Sequence, residues 1–361
     1  MFSKNETLKA KGIAILLLLF HHLFYNSGRI EESGVQFLIL QQDILQQIAI
    51  VSRICVWIFV FLSAYGLTYQ YVKRKEDSKI QFLIKRWFLL MKTYWPIYIF
   101  IFLLYSCIVG NVANRYQHGT ANAILDILGI SDFFGQPMLL GVWWYMCFAQ
   151  VLILSIPLVN LICEKLGWSS YFLVFCSLQY LPDGIKSSNG GRYSNYFLVV
   201  ILAVLCARNQ VFDRLLSQQE KKKWKLLRGG MCFGLILILL YIKLKLGPID
   251  VWQVNSFISG IVAFLICYFT SAFLTNKIFE TSLKYLGKHS GNIFLVHAFF
   301  YTYTPSIVYW SKNAVISFMT LLFISLIASV LIENIKRVLQ YEKISQKILE
   351  EIICKCTMKE I

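Results

Sequence analysis

Residues 11–22 read Lys11-Gly-Ile-Ala-Ile-Leu-Leu-Leu-Leu-Phe-His21-His22, and this stretch decides the fold. It opens on a cation, runs from Ile13 to Phe20 without a polar interruption, and closes on two imidazoles. With its flanks it reads as a membrane span over residues 11–27. A span needs about 20 predominantly apolar residues to cross ~30 Å of hydrocarbon. No water is present there to satisfy the backbone, so the segment must be helical. The run follows a basic start but lacks a small-residue cleavage site, which makes it a retained span rather than a signal peptide.

Working outward, nine further candidates follow at 46–72, 87–110, 138–162, 168–182, 194–208, 229–246, 252–274, 290–310 and 314–333. The fifth and sixth are short and interrupted by polar residues, as tilted, partly buried or re-entrant helices would be. Composition agrees with this reading: 57% of the 361 residues are hydrophobic and 15% charged, with mean hydropathy +0.60. Soluble domains carry about 45–50% and 25%. The expected fold is therefore all-α, a polytopic transmembrane helix bundle of about ten spans. Residues 1–335 form the membrane-embedded domain and residues 336–361 a cytoplasmic amphipathic tail, in which Ile344, Ile348, Ile352 and Ile353 recur at helical spacing.

Charge sets the orientation. Of 35 Lys and Arg, 26 fall in the two tails and the even-numbered connections, against five in the odd-numbered ones: Arg29, Arg115, Lys186, Arg192 and Lys312. The positive-inside rule places the N and C termini in the cytoplasm. The formal net charge of +16 then belongs to loops such as Lys221-Lys222-Lys223-Trp224-Lys225 lying beside anionic headgroups. No soluble domain presents these runs to nucleic acid. Eight of the ten cysteines lie in or beside apolar spans, where Cys acts as a small hydrophobe. Cys354 and Cys356 form a C-x-C in the tail, where a metal would need more ligands than the tail offers and reversible palmitoylation is an equal reading. The longest stretches outside the spans are the outer segment 111–137 and the inner loop 209–228.

The informative residues are ionisable groups at hydrocarbon depth, which face the bundle interior or a wet cavity. His22 lies eleven residues after Lys11. At 100° per residue the two differ by about 20° around the axis and stand ~16 Å apart along it. His22 is either a hydrogen-bonded residue in a helix contact or a proton acceptor, for which imidazole suits near-neutral pH. Lys85, Arg86 and Lys92 gather at the inner end of the third span, as membrane anchors or as a cradle for a phosphorylated donor. Ser290 and His297, seven apart, share one face of the ninth span. Weaker signals are Ser63 and Gly66, whose spacing allows close helix approach, and the aromatic group Trp143-Trp144-Tyr145, of the kind found in interfacial belts. Arg53, inside the second span, needs a partner or a route to the outer face.

Together these residues resemble the acyltransferase 3 family of integral membrane acyltransferases. Lys11 and His22 match its basic residue, small-apolar run and His in the first span. Phe61-Leu-Ser63-Ala-Tyr65-Gly66 is similar to its second span, and Trp144-Tyr145-Met146 to its fourth. Leu286-Gly-Lys288-His289-Ser290-Gly-Asn292-Ile-Phe-Leu-Val-His297 is similar to its late segment. The family usually has Arg where this chain has Lys11, and a tight Arg-x-x-Arg where this chain has Lys85-Arg86 and Lys92.

The resemblance implies transfer of an acyl group, commonly acetyl, from acyl-CoA to a hydroxyl of a cell-surface or exported glycan. Acetyl-CoA would be a co-substrate, with no bound cofactor and no metal. His22 would be catalytic, and Lys11, Lys85, Arg86 and Lys92 would bind the donor, with Ser290 and His297 as auxiliaries. The expected location is a bacterial plasma membrane, beside lipid and polysaccharide-synthesis machinery. A glycan or lipid-linked substrate transporter is the rival reading, since transporters also place charge near the midplane; against it, the hydropathy shows no internal two-fold symmetry. A glycan polymerase would carry a larger outer loop.

Overall fold

A computed structural model of the chain describes residues 2–37, 41–73, 78–116, 119–178, 180, 193–217, 222–246 and 252–357. In chain order the helices are α1 Lys4–Phe24, α2 Ser27–Ser33, α3 Gln42–Val51, α4 Cys55–Lys73, α5 Lys79–Ile108, α6 Thr120–Ile127, α7 Trp144–Leu166 and α8 Ser169–Leu178. They continue as α9 Phe197–Arg208, α10 Val211–Leu216, α11 Lys222–Leu246, α12 Trp252–Ala272, α13 Lys277–Tyr303, α14 Pro305–Val308, α15 Ala314–Val338 and α16 Tyr341–Thr357. The described residues contain no strand. Lys186, Arg192, Lys221 and the end of the fifth candidate span lie outside the described residues, as do the side chains of Lys222 and Cys356.

The chain is a polytopic helical bundle. Seven helical stretches are long and apolar enough to cross a membrane. The other three candidate spans also fall on helices, for separate reasons. α13 has 27 residues but opens on a polar half, from Lys277 to Asn292. α8 and α9 have 10 and 12 residues. At 1.5 Å per residue α9 is only ~18 Å long, yet Leu198 to Ala207 are all buried. A short helix escapes the length requirement when protein rather than lipid surrounds it, and α4, α7, α8 and α12 enclose this one.

The pair α1 and α13 organises the bundle. Lys9 meets Glu280 at 4.0 Å near their starts, and Tyr309, beyond the end of α13, donates to the Leu23 carbonyl at 3.3 Å. The two helices therefore run in the same direction. An odd number of crossings must separate them, which counts both short helices or neither. Lys284 bonds Glu280 at 2.6 Å and, with Lys9, holds its carboxyl below the usual range. The helices cross where two glycines face each other's backbone. A Cβ on Gly12 would lie 2.3 Å from the Leu283 carbonyl oxygen, and one on Gly287 would lie 1.9 Å from that of Leu8. Small residues permit this approach in membranes.

A Cβ on Gly66 would meet nothing within 4 Å, so the Ser63–Gly66 spacing does not mark a close helix approach; both residues line a cavity instead. The second span also differs from a straight helix. It breaks into α3 and α4 at the tight turn Ser52–Ile54, and the turn exposes Arg53.

Between α5 and α7 the described residues of segment 111–137 do not form a simple loop. They fold back along α5, and their carbonyls meet side chains midway along that helix and on α7. Tyr94 donates to Asp126 O at 2.9 Å and Trp95 to Ile127 O at 3.1 Å. Gln150 donates to Leu128 O at 2.9 Å and Gly129 O at 3.0 Å, while accepting from Trp87 at 2.9 Å. Irregular backbone is tolerated in this setting only when protein satisfies it. Gln150→Leu strands two carbonyls and an indole N–H, at ~1–3 kcal/mol for each buried group left unpaired. We expect a clear fall in thermal midpoint in detergent, measured beside Gln150→Glu, which keeps the acceptor for Trp87.

The helix of the last span runs past residue 335 to Val338, and the chain turns at Gln340, whose φ is +48°. α16 then packs back on α5 and α15, burying Ser345 and Leu349 while Ile344 and Ile348 face outward.

Candidate active site

Ten residues beyond its crossing glycine, each helix of the central pair carries a histidine: Gly12 precedes His22, and Gly287 precedes His297. Parallel helices in register bring residues at equal distances from a crossing to the same level, here ~15 Å along. The ring centroids of His22 and His297 are 5.0 Å apart.

His297 is fully buried, and its Nδ1 lies 2.8 Å from Phe294 O and 3.2 Å from Ile293 O. Carbonyls only accept, so Nδ1 carries the hydrogen and Nε2 keeps its lone pair. That Nε2 is buried with no partner among the described residues. Buried polar atoms without partners are rare and call for an explanation. His22 is half-buried; its Nδ1 lies 3.4 Å from the Tyr301 phenol oxygen, and the two rings stack. With Nδ1–H donating to Tyr301, His22 presents Nε2 as a base. An Arg29 nitrogen donates to the His22 carbonyl, and its guanidinium lies 4.5 Å over the Tyr301 ring. His21 points elsewhere: its Nδ1 donates to Ala49 O at 2.7 Å.

Toward the N-terminal end of α1 two cavities adjoin. One of ≈ 540 Å³ is lined by Lys4, Lys11, Ser63, Gly66, Tyr69 and Arg86. Its neighbour of ≈ 210 Å³ is lined by Lys11, Ser63, Thr93, Tyr145, Ser290 and Phe294. Lys11 and Ser63 belong to both. The Phe294 ring is 6.2 Å from that of His297, so the smaller cavity ends one aromatic ring short of the imidazole pair. Ligand pockets typically enclose about 300–1,000 Å³, and the larger cavity falls in that range. A separate apolar groove of ≈ 600 Å³, lined by Trp95, Ile99, Leu103 and Ile332, stands apart from these ionisable groups.

The geometry thus brings Lys11, Arg86 and Ser290 together and sets His22 beside His297. Lys85 and Lys92 line neither cavity. Lys92 bonds Glu342 of the tail helix at 2.7 Å. The reason is angular: Lys85 and Lys92 share one face of α5, and Arg86 is turned about 100° from Lys85. Ser290 donates to Gly287 O at 2.8 Å.

Trp143 and Tyr145 are interior groups rather than an interfacial belt. Trp143 donates to Leu295 O at 2.9 Å, and Tyr145 lines the smaller cavity together with Ser63. Sequence reasoning missed Lys4, Tyr301 and Arg29. Tyr301 stands four residues after His297, and that helical spacing was its one available signal.

The acyltransferase 3 family, described as an acyltransferase domain, matches residues 10–334. The chain belongs to the acyltransferase 3 family. No curated protein and no solved structure gives a significant match. The matched region runs from the residue before Lys11 to the residue after Glu333, so it holds both imidazoles and the smaller cavity, while Phe2, Lys4 and Thr7 of the larger one precede it. Membership in the acyltransferase 3 family, with the apolar helices, makes this a multi-pass membrane acyltransferase. The α16 tail lies beyond the acyltransferase 3 match.

Proposed function

We propose that the chain is an O-acyltransferase that moves an acyl group, acetyl in the simplest case, from acyl-CoA to a hydroxyl of a cell-surface or exported glycan. The observation that carries this reading is the arrangement along α1. Cationic side chains line a cavity at one end, and an imidazole pair stands at the other. With the lysine-rich ends cytoplasmic in a bacterial plasma membrane, Lys4, Lys11 and Arg86 meet the phosphates of the donor. Its arm runs past Ser63, Tyr145 and Ser290 toward His22.

The acceptor hydroxyl attacks the thioester carbonyl while His22 Nε2 takes its proton. The C–S bond then breaks, the ester remains on the glycan, and the departing thiolate recovers the proton. His297, with its tautomer fixed, offers a second basic nitrogen beside the first. Membrane lipid and polysaccharide-synthesis machinery are the expected neighbours.

Purified protein given acetyl-CoA and an oligosaccharide should release free thiol in step with ester-bound acetate. Movement of the glycan across a proteoliposome membrane with no ester formed would favour a transporter instead.

The donor assignment makes a contrast that can be measured. Lys11→Ala and Arg86→Ala should each raise KM for acetyl-CoA at least about tenfold, the scale of one charge-assisted hydrogen bond of about 1.5–3 kcal/mol. Lys92→Ala should leave KM unchanged and cost no more than ~1 kcal/mol of stability, as partly exposed ion pairs do.

A further inference from the structure

Several cations of the bundle have carboxylate partners. Lys9 and Lys284 meet Glu280, Arg208 meets Glu164 at 3.2 Å, and Lys336 meets Glu333 at 2.9 Å. Three others do not: Arg29, Arg53 and Lys243 make no ion pair among the described residues, and the partners of Arg29 and Lys243 are neutral. Arg29 bonds a carbonyl and lies over Tyr301. Lys243 donates to Asn255 Oδ1 and, at 2.7 Å, to Ser259 Oγ, with its ammonium 4.6 Å over the Trp57 ring.

Arg53, exposed in the turn between α3 and α4, sits where that turn packs on α1, whose His21 bonds Ala49 O at 2.7 Å, and on α12, whose Asn255 and Ser259 hold Lys243. Trp57 is buried at 2% exposure, and its indole N–H has no acceptor among the described residues. Positive charge on this side runs against the positive-inside bias, and half-buried cations without counter-ions, as Arg29 and Lys243 are, are costly.

We propose that Arg53 and Lys243, with Arg29 beside His22 and the Trp57 N–H close to Arg53 in sequence, receive an anionic group of the acceptor. The acceptor is then an acidic glycan bearing a carboxylate or a phosphate, rather than a neutral one. This rests on the reading that the acceptor hydroxyl reaches His22. Charge-assisted bonds to a carboxylate or phosphate are stronger than neutral ones, and complementary charge also fixes the register of the bound sugar. Lys243 is held inward by α12 side chains and Trp57, so it faces the bundle rather than lipid headgroups.

The test measures binding to the full chain in vesicles of phosphatidylcholine, using a neutral glucose trisaccharide, its 6-carboxylate counterpart and its 6-phosphate. At least one acidic sugar should bind ten or more times tighter than the neutral one, with the preference falling as salt rises. The favoured arm names the group. Arg53→Gln and Lys243→Gln should remove most of that preference while leaving the weak neutral binding unchanged.

Equal binding of all three sugars, no binding of any, or equal loss for acidic and neutral sugars in the variants would overturn the proposal. So would loss of the preference on adding phosphatidylglycerol, which would give the cations to lipid headgroups. Selective binding without acyl transfer would instead remove the proposed reaction and leave the anion site standing.

Discussion

Gly12→Ala and Gly287→Ala should each destabilise the protein and cut acyl transfer at least about 100-fold. The added methyl carbon would lie 2.3 Å or 1.9 Å from a backbone oxygen of the facing helix. Neither helix can yield by rotating a side chain, because both sides of the contact are main chain. α1 and α13 must move apart, and overpacking of this kind costs typically 1–3 kcal/mol or more. Activity should suffer beyond what stability explains. His22 and His297 each stand ten residues past these glycines, so separating the helices separates the imidazoles. A displacement of about 1 Å can cost 10²-fold in rate. Thermal midpoint and turnover of the purified variants check both parts. Gly66→Ala, whose position faces open space inside α4, should be at least as stable as the parent.

The second large effect concerns the imidazoles themselves. His22→Ala should lose about 10²–10⁴-fold in turnover, the usual worth of a general base. Its side chain makes one loose 3.4 Å hydrogen-bond contact, with Tyr301, and ring contacts with Tyr301 and His297, so the variant should still fold and reach the membrane. His297→Gln should lower kcat by about 10²-fold, with KM for acetyl-CoA unchanged, because His297 lines neither donor cavity. Rates at saturating donor, read beside donor affinity, separate this outcome from a general loss of structure. A variant that lost kcat and donor affinity together would point to collapse of the α1–α13 pair.

Much of the bundle was legible because lipid imposes a simple rule: long apolar runs must be helices. Seven candidate spans fall on long apolar helices for that reason, whereas the fifth and sixth meet the short helices α8 and α9 and the ninth meets α13 with its polar opening half. Segment 111–137 was not legible, since it lacks a long apolar run and the groups that satisfy its carbonyls belong to Tyr94, Trp95 and Gln150 on other helices. Lys11 and His22 stood out as ionisable groups on one stripe of one helix, where 3.6-residue geometry suffices.

Lys92 shows the limit of that geometry. Spacing grouped it correctly with Lys85, but only the packed tail reveals that this face meets Glu342. The tautomer of His297 likewise depends on carbonyls brought to it by its own helix. Its nearness to His22 depends on the glycine crossing, whose equal ten-residue offsets were present in the sequence and went unread.

One measurement bears most directly on the imidazole's role: a single turnover of labelled acetyl-CoA, in the presence of an acidic oligosaccharide, by purified parent and His22→Ala protein. The account predicts equal donor binding in both, with ester-linked label on the sugar from the parent and at least a hundredfold slower appearance from the variant. Ester formation at the parental rate without the His22 ring would contradict it.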